Sequence, residues 1–280
     1  MDFLRHGRRY ICPLALAAAA VTAGCASKPF TPPAVMAPAT RPTTAFAASL
    51  PVLEPPTPAT RPAAVPLGTS TEGRPITLHT FGDPAAARET VLIFGGIHGN
   101  EPTSAGVCRE LLAHLTANPA LCEGRCVAVI AEANPDGLLR RLRTNARLID
   151  VNRNFPAANW KKTRRTSFFG GDAPATEPES KALIAAIERL KPARVVAVHS
   201  MDDPCNNYDG PGEALAKLMA ATNGYPVKAS IGYPTPGSFG SWAGGDRKIP
   251  VITLELPNKG TTKASWEKNR EALAAFIRGE

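Results

Sequence analysis

Aromatic side chains are scarce in this sequence, 6% of 280 residues, which argues against the base-stacking surfaces of single-strand nucleic-acid binders. Also missing are a zinc-finger spacing of Cys and His, an RRM-like aromatic motif and a basic helix with heptads, the modules that usually read nucleic acids. The net charge of +8 is mild, and Arg5, Arg8 and Arg9 against Asp2 place two of those charges in the first 24 residues. No nucleic-acid partner is expected. Histidine is rare as well, with five in the chain, so any imidazole chemistry has few candidates. What is plentiful is apolar side chain, 44% against 20% charged, enough to bury one core of about 200 residues.

The apolar stretch from Ile11 to Val21 follows the early arginines and falls far short of the roughly 20 residues that span a bilayer. A basic start, a short apolar segment and small residues after it read as an export signal. Val21-Thr22-Ala23-Gly24-Cys25 resembles the bacterial lipobox, which implies a lipoprotein signal peptide over residues 1–24, cut before a lipid-bearing Cys25. Thr22 departs from that pattern, which prefers an aliphatic residue, so a soluble exported form and an uncleaved tail are the other readings. Ala26 and Ser27 carry no acidic retention signal. The resemblance then implies a lipoprotein facing the periplasm, at the outer membrane, held to the membrane through its N-terminal lipid anchor.

Residues 26–66 hold 11 prolines and neither helical nor alternating periodicity. The lipidated cysteine and this Pro-rich linker, 25–66, are expected to form an extended spacer, with 67–280 as the folded domain. Cys108, Cys122, Cys126 and Cys205 would sit in an oxidising compartment. Cys122 and Cys126 could close a small loop by disulfide, whereas Cys108 falls on an apolar helical face.

Beyond Leu67 strand and helix signals alternate. Apolar runs predict buried strands within Glu89–Gly95, Val127–Ala133, Arg194–Val198 and Val251–Leu256, several of them ending at Gly, Pro or Asn. Helical spacing predicts helices over Ser104–Leu115, Glu177–Leu190, Glu213–Ala221 and Ala264–Ile277. His79 falls in a predicted edge strand and His114 on a helix, while His6 belongs to the signal. The alternation predicts an α/β domain with a mixed, mostly parallel twisted sheet and helices on both faces. In such sheets sites gather at strand ends.

Gly95-Gly96-Ile97-His98-Gly99-Asn100-Glu101-Pro102 puts an imidazole and a carboxylate three residues apart just past a strand. Alone, His-x-x-Glu is a weak signal. A catalytic zinc needs a third protein ligand and an open position, and His199, 101 positions on at the end of another strand, can supply it. Glu255 interrupts the apolar run Ile252-Thr253-Leu254-Glu255-Leu256. An ionised Glu is costly to bury without a partner or a task, so it either faces outward on an edge strand or serves as the base beside an activated water. Between these segments lie Arg140, Arg141, Arg143 and Arg147, then Asp150-Val151-Asn152-Arg153-Asn154. Charge runs are usually solvated faces, but Arg grips carboxylates bidentately, so an anionic substrate is the alternative.

Taken in order, His98-x-x-Glu101, Asn134-Pro135-Asp136-Gly137, Asp150-x-Asn152-Arg153-Asn154, His199-Ser200 and Leu254-Glu255 resemble the zinc metallocarboxypeptidase family across roughly residues 68 to 279. The runs Asn134 to Asn159 and Thr235 to Trp242 are similar to its small bacterial branch of murein peptide amidases. The resemblance implies a single-domain zinc carboxypeptidase-like fold and one Zn2+ per chain, bound by His98, Glu101 and His199. It makes Glu255 the general base and acid and Asp150 the carboxylate that orients His98. Asn152 and Arg153 would hold the substrate's terminal carboxylate, and Tyr233, 22 positions before Glu255, would contact substrate. Arg143 best matches the arginine that polarises the scissile carbonyl, with Arg140 and Arg147 open for that part. Leu148-Ile149 stand where the family pattern has Gly-Val, a departure that touches the loop rather than the ligands.

The implied reaction is hydrolysis of the γ-D-glutamyl-diaminopimelate bond of murein peptides. Gly240, at the family's specificity position, leaves the pocket floor open for a bulky zwitterion. Other readings are a carboxypeptidase releasing C-terminal amino acids and an N-acyl amino acid deacylase, which shares the Gly-Gly-x-His-Gly-Asn-Glu start. From a different class comes a non-catalytic wall-binding lipoprotein, which would be free to lose Glu255.

Overall fold

The computed structural model describes residues 62–280; the expected export signal, Cys25 and the expected spacer up to residue 61 lie outside the described residues. Eight strands form one sheet: β1 Ala63–Thr69, β2 Pro75–Phe81, β3 Thr90–Phe94, β4 Cys126–Ile130, β5 Arg194–Met201, β6 Cys205–Asp209, β7 Val227–Lys228 and β8 Val251–Pro257. The helices are α1 Pro102–Ala117, α2 Pro135–Arg140, α3 Pro178–Leu190, α4 Glu213–Asn223 and α5 Thr262–Arg278. Spatially the strands run β1-β2-β4-β3-β5-β8-β6-β7. The central four, β4-β3-β5-β8, are parallel, and antiparallel pairings join β2 to β4 and β6 to β8.

The central strands are buried on both faces, which is why their sequences read as unbroken apolar runs. Val91, Ile93, Val196, Val198, Ile252 and Leu254 pack in one core with residues of α1, α4 and α5. Their neighbours Leu92, Phe94, Val195, Ala197 and Val251 fall in a second core with α3, Phe155, Phe239 and Trp242. Because side chains alternate along a strand, the parity that sends Val195 and Ala197 into the second core sends His199 to that same side. The same parity carries Glu255 there from Val251.

Several expectations need correcting. The sheet begins four residues before the boundary expected at 67, since Ala63 to Pro66 pair with Thr77 to Thr80 and Val65 packs against the core. Pro66 is tolerated because β1 is the edge strand, beside a register shift. β2, which carries His79, is therefore not an edge. β5 does not stop at Val198 but runs through His199 to Met201, which pairs with Pro257. β6, Cys-Asn-Asn-Tyr-Asp, went unpredicted because Asn and Asp are poor strand formers. Its side chains compensate: Asn206 Nδ2 donates to Asn223 Oδ1 at 3.0 Å and Asn207 Nδ2 to the Lys228 carbonyl at 2.8 Å. Cys122 and Cys126 are free thiols. Cys126 is buried at the start of β4 with its thiol on Thr90, and burial pushes both thiols up to about 11. Among the described residues no helix is long and apolar enough to cross a membrane.

Leu148, one of the two residues that depart from the family pattern, holds φ +61°, the left-handed region that penalises any residue with a Cβ by roughly 1–2 kcal/mol. Its side chain is 63% exposed, so little packing offsets the strain. Leu148→Gly is expected to stabilise the domain by about 0.5–1 kcal/mol after the glycine's extra unfolded-state entropy. A thermal melt checks this: the midpoint should rise by roughly 1–3 °C, and a fall would remove the strain assignment.

Candidate active site

Past β3 the chain turns through the glycine-rich segment onto α1. Gly99 is required by close approach, since a Cβ there would collide with the Gly137 backbone. Asn134 fastens the two pieces: its Nδ2 donates to the Ile97 carbonyl at 3.1 Å, and its Oδ1 accepts from Gly137 N at 2.9 Å. The Asn-Pro-Asp-Gly motif is thus scaffold that fixes where His98 points. Glu101 occupies the residue before α1, with Pro102 at the first helical position, where its missing N–H costs nothing.

His98, Glu101 and His199 meet, each less than a tenth exposed. His98 Nδ1 lies 2.8 Å from Glu101 Oε1 and His199 Nδ1 3.1 Å from Glu101 Oε2, and the possible ligand atoms all fall within 4.8 Å of one another. The other nitrogen of His98 faces Asp150 Oδ1 at 3.1 Å. Asp150 also accepts from Asn152 N and from Arg143 Nε, both at 2.9 Å, while Ser200 N donates to Glu101 at 3.1 Å. Two imidazoles and a carboxylate, with one imidazole backed by a second carboxylate, are a donor set that suits zinc.

Burial pushes the carboxyls of Glu101 and Asp150 upward, but their neighbours prevail. His98 and His199 hold Glu101 well below the usual carboxylate range, and His98 with Arg143 and Arg153 does the same for Asp150. Burial works against a charged His98 too, yet Glu101 and Asp150 outweigh it and raise its pKa. For His199 burial wins, and its pKa is lowered.

Glu255 sits directly opposite His199 in the β5/β8 pairing. β8 lies between β5 and β6, so the outward-facing edge glutamate is ruled out. Burial, reinforced by the Glu101 carboxylate, pushes Glu255 up to about 8. It lines the same cleft as the three candidate ligands. Of the three arginines, only Arg143 reaches that cleft. Arg140 pairs with Glu72 at the surface, and Arg147 is half-exposed near Glu177. Arg143 is further held under the ring of Phe168, 4.6 Å from its centroid.

Asn152 and Arg153 both line the cleft. Asn152 Oδ1 accepts from Phe239 N at 2.8 Å, and its Nδ2 stands 3.5 Å from His199 Nε2. Arg153 is buried, donates to the Asn152 carbonyl at 2.7 Å and meets the side chain of Tyr233; Tyr233 is half-exposed at the rim. Gly240 opens a π-helical turn at the cleft wall. Sequence reasoning missed Phe168, Asn207, Asp209 and Thr253. The last three are polar residues on the sheet face that carries Glu255, visible only once β6 is known to pair with β8.

The profile described as zinc carboxypeptidase matches residues 60–211. Murein peptide amidase A of Escherichia coli (strain K12) is 39% identical over 231 residues, covering 77% of this chain and 91% of that protein. The enzyme of the same name from Vibrio campbellii is 34% identical over 199 residues, 66% of this chain and 76% of its own. Among solved structures, murein-tripeptide amidase from E. coli O157 superposes with a TM-score of 0.63 at 36% identity, covering 80% of this chain and 96% of that one. Carboxypeptidase A from Helicoverpa armigera superposes at 0.68 with 19% identity, covering 78% of this chain and 68% of its own, a likeness of fold. With the matched profile spanning more than half the sequence and the ligand geometry in place, the chain belongs to the zinc carboxypeptidase family.

Proposed function

We propose that this protein is a zinc-dependent amidase that hydrolyses the γ-D-glutamyl-diaminopimelate bond of murein peptides. The observation that carries the reading is the convergence of His98, Glu101 and His199 within 4.8 Å, beside a buried Glu255 in one cleft. The substrate class rests on the relatives at 34–39% identity, which bear the name murein peptide amidase A.

His98, Glu101 and His199 would hold one zinc ion, which supplies a Lewis acid that acidifies a water and polarises the scissile carbonyl. Glu255 takes the attacking water's proton and returns it to the leaving amine. Burial pushes the Glu255 pKa up to about 8, which suits the proton-returning half of that exchange, and a cation held beside it would favour the ionised form that takes the proton. Arg143, its Nε committed to Asp150, turns its remaining N–H groups to the developing oxyanion. Arg153 and Asn152 bind the terminal carboxylate of the leaving residue, Arg153 through its guanidinium fork, with Tyr233 closing over it from the rim. Asp150 keeps His98 in the tautomer whose Nδ1 is free to ligate.

The address is part of the proposal. A basic, short apolar N-terminus followed by a lipobox-like Cys25 and 11 prolines in residues 26–66 supports an exported lipoprotein. Tethered at the outer membrane and facing the periplasm, it would meet the wall or fragments shed from it. Mass spectrometry of the protein from its membrane fraction should find acylated Cys25 at the N-terminus; a chain starting at Met1 would refute this.

The activity test is direct. The full chain should release diaminopimelate from L-Ala-γ-D-Glu-diaminopimelate, lose that activity to a chelator and regain it with zinc; release of C-terminal D-Ala from longer peptides instead would make it a carboxypeptidase. Glu255→Gln should lower kcat by about 10²–10⁴-fold with KM within a few-fold, and an unchanged kcat would displace Glu255 as the base. Asp150→Asn should weaken zinc about 10–100-fold, read by competition with a chromogenic chelator; unaltered affinity would refute its orienting role.

A further inference from the structure

The net charge of the chain is concentrated in one place. Residues 139–172 hold nine Arg and Lys against Asp150 and Asp172, which is +7 of the chain's +8. Arg143, Arg153 and Asp150 belong to the cleft, but Arg141, Arg147, Lys161, Lys162, Arg164 and Arg165 are exposed. Arg141, Lys161 and Arg164 have no ion pair among the described residues, while Lys162 and Arg165 share the one carboxylate of Asp172 at 2.6 and 3.5 Å. The same stretch supplies Leu139, Leu142, Leu148 and Phe168, four of the five large apolar side chains left exposed among the described residues. Leu142, Leu148 and Phe169 border a groove with Arg165, and Arg143 is a wall of both that groove and the cleft. A second groove, holding Lys161, Phe168 and Pro236, meets the cleft at Arg153 and Tyr233. A basic and apolar surface thus continues out of the cleft mouth.

Crowded cations repel one another, and their summed field gathers anions toward the cleft they flank. Exposed leucines add a second cost, and Leu148 a third, since it holds a left-handed backbone with little packing in return. A surface of this kind is compensated by something that binds it. We infer that this face docks polymeric murein, so that stem peptides enter the cleft from strands of the wall. Resting on the amidase reading, this adds the physical form of the substrate. A murein strand offers matching chemistry: free carboxylates on every stem peptide for the arginines and lysines, and the methyl groups of alanine, N-acetyl and lactyl units for Leu142 and Leu148. Free tripeptide occupies the cleft alone and leaves the outer cations and leucines unmatched. An anionic bilayer satisfies the same charges and leucines, but seated on this face it would cap the cleft that Arg143 and Arg153 share with the two grooves.

The test is co-sedimentation of the full chain, in detergent, with lipid-free sacculi, with Glu255→Gln in every sample to keep the polymer intact. The chain should sediment with sacculi at low salt and be released near about 1 M, where screening shortens to about 3 Å. Arg141→Glu combined with Arg164→Glu should weaken binding about tenfold or more. With Glu255 restored, the same pair should leave kcat/KM on L-Ala-γ-D-Glu-diaminopimelate within about threefold, which shows the cleft intact. Leu148→Gly should weaken binding about two- to fivefold while raising the melting midpoint, so misfolding does not account for the loss. Binding that ignores salt or survives the charge reversal would overturn the docking face. So would displacement from sacculi by mixed micelles of phosphatidylglycerol that is more effective, at equal charge, than displacement by solubilised murein strands. If the wild-type chain releases no diaminopimelate from the tripeptide yet sediments in this salt- and Arg164-dependent way, the amidase reading falls and the docking face stands.

Discussion

Everything at the centre depends on one imidazole held between two buried carboxylates. His98 presents Nδ1 to Glu101 and Nε2 to Asp150, and neither carboxyl has appreciable contact with solvent. Concentrating two such charges in a place poor in water costs several kcal/mol per ion if left uncompensated. Compensation on the protein side comes from Arg143 and from the backbone N–H groups of Asn152 and Ser200. The surplus negative charge is a standing attraction for a divalent cation. The Asn134 and Gly99 contacts follow from that need, because a ligand's grip on a metal is only as good as the loop that aims it.

The sheet adds a ruler to this centre. With His199 opposite Glu255, the proposed ligand and the proposed base are fixed by backbone hydrogen bonds rather than by loop conformation. A slip of one residue in β8 would turn Glu255 into the apolar core under α1, α4 and α5 and present Leu254 or Leu256 to the cleft. Such a slip is resisted by Ile252, Leu254 and Leu256, all fully buried on the opposite face. Hydrophobic patterning on one side of the strand thus sets the geometry of the cleft on the other.

Much of this was legible from residues alone. The buried strands β3, β4, β5 and β8 announce themselves by apolar runs, and the helices by period. His98, Glu101 and His199 stand out because so few histidines exist to choose from. What stayed hidden shares one cause, the lack of local signal for long-range pairing. β6 reads as a polar loop until Asn206 and Asn207 find partners on α4 and β7. Asp209 drew no notice for the same reason, and so the occupancy of the space beside Gly240 by its carboxylate stayed hidden too. The choice among Arg140, Arg143 and Arg147 likewise needed three dimensions, since all three lie within one short run and only their partners differ.

The segment from Arg141 to Glu177 carries most of the proposed substrate contacts, yet its only regular structure is the short turn at Val151–Arg153. Its rigidity comes from buried amides. Asn154 donates to the carbonyls of Gly170 and Ala173 and accepts from Thr176 N, Glu177 N and the Ser180 hydroxyl. Asn145 donates to Glu177 and Glu179 and accepts from the backbone of Arg147 and Ile149. A buried network with its members satisfied holds one conformation and disfavours alternatives, whereas a half-satisfied one would cost more than an apolar core. A long loop can therefore place Arg143, Asp150, Asn152 and Arg153 with the constancy of a helix. The same network explains how the left-handed Leu148 is tolerated, because the bonds Asn145 makes around it over-determine the turn that Leu148 alone would refuse.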